Sequence, residues 1–68
     1  MDKVKTGKIL RQLRIESGET LEYTSSVIGI SCSALAMYEQ GNRFPRDEVK
    51  EKLSKYYGRT VEEIFFAS

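Results

Sequence analysis

Apolar side chains recur along this chain at helical spacing and never alternate strictly over a useful length, so the pattern predicts helices and no sheet. The first helix is predicted at about 6–17, with Ile9, Leu10 and Leu13 as its stripe and Gly18 as its stop. Thr20 then caps a helix that shows Leu21, Ser25 and Ile28 on one face, with Thr24 beside them, and ends at Gly29. Ser31 caps a third, about 31–40, that turns Leu35, Tyr38 and Ala34 inward and ends at Gly41. Asn42-Arg43-Phe44 forms a loop. Pro45, Asp47 and Glu48 open a fourth helix with the stripe Val49, Leu53, Tyr56 and Tyr57, closed by Gly58. Thr60 and Glu63 make a capping box for a last short helix through Val61, Ile64, Phe65 and Phe66. The expectation is all-α: a compact bundle of five short helices.

Size limits the choice of architecture. A chain of 68 residues holds one domain, with a core near the lower limit for independent folding. Two helices at about 20–28 and 31–40, joined across Gly29 and Ile30, have the spacing of a helix-turn-helix. Gly29 supplies the left-handed backbone that such a turn requires, and Ile30 fills the space between the helices. In this arrangement the second helix can enter a major groove while the first crosses the phosphates.

Charge adds one feature. The formal net charge is only +1, from eleven Lys and Arg against ten Asp and Glu. It is unevenly spread: residues 1–14 hold Lys3, Lys5, Lys8, Arg11 and Arg14 against Asp2 alone. Residues 1–5 are read as a flexible basic arm and 6–68 as a single helix-turn-helix domain. Histidine is absent and Cys32 is the lone cysteine, so neither a catalytic constellation nor a metal site can be assembled. The expectation is a non-enzyme without metal or cofactor. No small-molecule substrate is evident, and no stretch reads as a signal peptide or membrane span. A cytoplasmic location is the default.

Several motifs, in order, resemble the Cro-type pattern of the lambda-repressor-like (XRE) helix-turn-helix family. They are Leu10-Arg11-Gln12-Leu13-Arg14, Thr20-Leu21-Glu22, Gly29-Ile30-Ser31, Ser33-Ala34-Leu35, Met37-Tyr38-Glu39-Gln40-Gly41, Arg43, Pro45, Tyr57-Gly58 and Thr60 to Phe65. The resemblance covers nearly the whole chain. It implies a sequence-specific DNA-binding transcriptional regulator, a repressor that binds a two-fold operator as a dimer with helix 31–40 in the major groove.

The resemblance also implies residue roles. Cys32, Ser33 and Met37 take positions that face base edges. Gln40, Asn42, Arg43 and Arg46, with the helix start at Leu21, take positions near phosphates. Arg14 and Glu39 take the positions of a structural ion pair between the first helix and the recognition helix. Phe44, Phe65, Phe66 and the Tyr56-Tyr57 pair exceed what so small a core can hide, and Phe44, Pro45, Phe65 and Phe66 are assigned to a dimer interface. Two departures stand out: Leu21 replaces the family's usual phosphate-binding glutamine, and Thr24 and Ser25 place hydroxyls where apolar residues are usual. Those hydroxyls are expected to bond back to helix carbonyls. The rival reading is a protein-interaction module on the same fold, partner to a repressor, toxin or protease, with weak or no DNA binding.

Overall fold

A computed structural model describes residues 2–66. Five helices follow in order: α1 (Lys3–Glu16), α2 (Leu21–Ile28), α3 (Cys32–Glu39), α4 (Asp47–Tyr57) and α5 (Val61–Phe65). The described residues contain no strand. None of these helices is long and apolar enough to cross a membrane.

The N-terminus differs from expectation. Helix α1 begins at Lys3, not near residue 6, so most of the segment read as a flexible arm is helical. The cause is Asp2, whose carboxylate accepts from the backbone N–H groups of Val4 (2.9 Å) and Lys5 (3.2 Å). That cap satisfies two of the four otherwise orphaned donors. Three further caps match the sequence pattern. Thr20 accepts from Tyr23 N–H, Ser31 from Ala34 N–H, and Thr60 and Glu63 form a reciprocal capping box. Arg46, the residue before α4, provides no side-chain cap, so the acidic first turn of Asp47 and Glu48 supports that end instead.

Leu10, Ile28, Leu35, Tyr38, Val49, Leu53, Ile64 and Phe65 form the core, which therefore draws on all five helices. Ile9, Leu13 and Leu21 flank it and are half-buried. Ser25 Oγ bonds back to the Glu22 carbonyl, as expected of a buried hydroxyl in a helix. Thr24 behaves differently. Its hydroxyl donates to the Glu19 carboxylate at 2.6 Å, outside its own helix.

Helix α1 docks on α3 through a glycine. A methyl group at Gly7 would lie 2.5 Å from the Glu39 carbonyl oxygen and 2.7 Å from that of Tyr38. The two backbones thus approach more closely than any side chain permits. Gly7→Ala should therefore destabilise the domain, against the usual helical preference for alanine. The expected loss is about 1–3 kcal/mol, read as a melting temperature lowered by roughly 4–8 °C per kcal/mol. An unchanged or raised melting temperature would show that α1 and α3 can part at no cost.

Candidate nucleic-acid interface

The turn between α2 and α3 is built by short-range chemistry. Gly29 has φ of +88°, a left-handed conformation, and its N–H and that of Ile30 both close on the Ser25 carbonyl. Ile30 is half-buried against the core, and Ser31 caps the next helix. The chain thus leaves α2 and enters α3 with no spare residue.

Leu35, Tyr38 and Glu39 form the inner face of α3 and are buried. Its outer face carries the residues expected at base edges. Ser33 and Met37 are exposed, and Cys32 is half-exposed at the first helical position. Gln40, Asn42, Arg43 and Arg46 follow and are all exposed, with the Asn42 amide donating to Gln40 Oε1 at 3.1 Å. A cleft of about 460 Å³ separates the turn from the loop after α3. Arg43 and Arg46 are the charged residues that line it. Arg46 also lies 3.9 Å from the Glu48 carboxylate in an exposed ion pair, so Arg43 is the cleft's arginine more open to an oxygen anion.

Leu21 is half-buried and its side chain packs on the core, so only its backbone N–H can serve a phosphate. Beside it stands a carboxylate that the sequence reading did not place at this surface. Glu22 Oε2 lies 3.9 Å from Cys32 Sγ. A negative charge at this point opposes a phosphate at the start of α2.

Behind α3 lies the ion pair. Arg14 Nε and Nη2 donate to the two Glu39 oxygens at 2.8 and 3.0 Å, and Nη1 donates to the Glu19 carbonyl at 2.8 Å. The side chains are 13% and 5% exposed. The bidentate bond to Glu39 holds the guanidinium protonated beyond its ordinary range. Three segments meet at one planar cation: α1, the α1–α2 loop and the end of α3.

The same loop is held from its other side. Glu19 accepts from Thr24 Oγ1 and, at 2.5 Å, from Tyr56 OH of α4. Hydrogen bonds from Thr24 and then Tyr56 hold the Glu19 carboxyl below its usual value near 4.5. The Glu19 bond in turn pushes Tyr56 up to about 12, and burial pushes Tyr57 up to about 12 as well. No local signal in the sequence marks Glu19, because its partner in α4 is 37 residues away.

Three of the four residues assigned to a dimer interface are occupied within the protomer. Phe65 is 1% exposed in the core, Pro45 is buried and Phe44 half-buried, while Phe66 is 49% exposed. Lys50 lies beside these three rings. Its Nζ lies 5.7, 5.8 and 5.7 Å from the ring centroids of Phe44, Phe65 and Phe66. One cation on an aliphatic stem thus gathers three rings that composition alone leaves in surplus. Among the described residues no group of His, Cys, Asp and Glu could hold a metal ion.

A family profile described as a helix-turn-helix domain matches residues 7–64. The chain belongs to the helix-turn-helix family. It is also similar to the cryptic phage CTXphi transcriptional repressor RstR of Vibrio cholerae, at 34% identity over 55 residues. That match covers 81% of this chain and 50% of the repressor, so the chain spans about half the length of its curated relative. No solved structure matches the chain.

Two outcomes follow from the buried bonds. Arg14→Leu strands the Glu39 carboxylate and should cost about 3 kcal/mol or more, whereas Arg14→Leu with Glu39→Leu should recover most of that loss. Urea unfolding of the four species of this cycle measures it, and additive losses would show that the pair is not coupled. The second outcome concerns pH. Glu19 titrates lower in the folded state, so its contribution is present above about pH 4.5 and is lost as pH falls below that. Tyr56 titrates higher, so its contribution is present below pH 10 and is lost as pH rises from 10 toward about 12. Tyr56→Phe should therefore flatten the stability profile at both ends, and equal slopes for the variant and the parent would refute the Glu19–Tyr56 bond.

Proposed function

We propose that this chain is a DNA-binding transcriptional regulator, a repressor that places α3 in the major groove of a two-fold operator as a dimer. The observation that carries this reading is the outer face of α3. Ser33 and Met37 are exposed there and Cys32 half-exposed, while the inner face is held by Arg14 through Glu39. The family match and the likeness to a phage repressor support it.

In this reading Ser33 gives or accepts one hydrogen bond at a base edge. Cys32 and Met37 offer soft apolar surface to a thymine methyl. Arg43 and Arg46 flank the cleft before α4 and meet phosphates, with Asn42 and Gln40 beside them. Leu21 contributes a backbone N–H. Phe66, 49% exposed, is available to a second copy. No side chain on α3 can make a bidentate arginine–guanine contact, so the backbone carries most of the affinity.

The test separates backbone contacts from base contacts. Arg43→Ala should weaken binding on every duplex alike and lower the log–log slope of affinity against salt by roughly one unit. Ser33→Ala should leave that slope unchanged and shift the preferred base at one position. An Arg43→Ala protein with unchanged affinity and slope would remove this residue from the interface.

A further inference from the structure

The basic N-terminal segment is the sequence feature that the DNA reading leaves over. Its expected use is a mobile arm on phosphates, but Asp2 draws it into α1, and α1 then fixes where each cation points. At about 100° per residue, Gly7, Leu10 and Arg14 fall on the side of α1 that meets α3 and the core. Lys5, Gln12 and Glu16 fall roughly opposite, with Ile9 and Leu13 at the margin of the core. Lys5 therefore lies behind the layer that α1 forms at the back of α3, with Lys8 on its flank.

There the structure shows a groove of about 470 Å³ between α1 and the start of the last helical segment. Ile9 and Leu13 provide an aliphatic floor, and both are half-buried. Lys5, Lys8 and Arg59 supply three positive charges around it. The carboxylate in the lining, Glu16, accepts from Gln12 at 3.2 Å and marks one end. No aromatic side chain lines the groove among the described residues, so it offers nothing for a nucleic-acid base to stack on.

We infer that this groove docks an acidic amphipathic helix of a partner protein, on the face of the domain turned away from α3. The charge decides the class of partner. Carboxylates on one side of the incoming helix meet Lys5, Lys8 and Arg59, and an aliphatic residue at i or i+4 meets Ile9 and Leu13. A basic residue of the partner fits beside Glu16 and sets the direction of the helix. Such a partner leaves Cys32, Ser33 and Met37 open, so it joins a protein already seated on DNA.

The probe is a synthetic helical peptide with glutamates on one face and leucines on the other, set against a scramble of the same composition. Titrated into isotopically labelled protein, the peptide should shift the amide signals of residues 5–16 and Arg59, and the scramble should not. Lys5→Glu with Lys8→Glu should weaken the peptide about tenfold or more, as should Arg59→Glu on its separate element. Far-UV circular dichroism and melting confirm that these surface variants fold. The lysine pair is also measured on random duplex DNA, where its salt slope should equal that of the parent. Signal shifts elsewhere, or none, would overturn the inference. A salt slope lowered by about two units would do so too, because the lysines would then belong to phosphates. If the parent binds no duplex at all, the DNA reading fails, while the peptide mapping still decides this proposal.

Discussion

The guanidinium of Arg14 is the constraint on which the geometry of this domain depends. It reaches both oxygens of Glu39 and the carbonyl of Glu19, so one side chain joins α1, the α1–α2 loop and the last turn of α3. A buried ion pair adds little net stability over a well-packed apolar pair. Its value here is directional. Two parallel bonds to one carboxylate fix the end of α3 against α1, and the third fixes the loop from which α2 starts. An apolar pair of equal volume fills the same space without setting the angle of α3.

The surroundings make that clasp possible. Gly7 brings the α1 backbone against the Tyr38 and Glu39 carbonyls, which sets Arg14, two turns later, within reach of Glu39. Glu19 then passes the restraint onward. Its carbonyl receives Arg14, and its carboxylate receives Thr24 and Tyr56. The chain of bonds runs from α1 through the loop to α2 and α4. A surface of exposed polar and soft apolar groups on α3 is thus presented by a rigid back, the arrangement that a reading helix needs.

The local signals of the fold were legible because they act over three or four residues. Thr20, Ser31 and the Thr60–Glu63 box each cap the helix that their spacing announces. Gly29 takes the left-handed turn that only its missing side chain makes easy. The Arg14–Glu39 pair was legible only through the family pattern, since nothing in either residue's neighbourhood names its partner. Asp2 is a local signal too, since one carboxylate before Val4 suffices to start a helix, but the lysines after it suggest an arm. Glu19, Tyr56 and the Lys50 cluster were not legible. Each joins residues far apart in sequence, and composition reports only that aromatic rings are in surplus. The count of rings likewise gives no hint that Phe65 and Pro45 are buried within the protomer, or that Lys50 lies beside Phe44, Phe65 and Phe66.

The central claim is that the outer face of α3 reads DNA sequence. Selection of binding sites from random duplex DNA by the purified protein, followed by sequencing of the enriched pool, tests it most directly. The account predicts an enriched two-fold motif with half-sites about one helical turn apart, roughly 34 Å. Folded protein that enriches no motif, even at low salt, would contradict it.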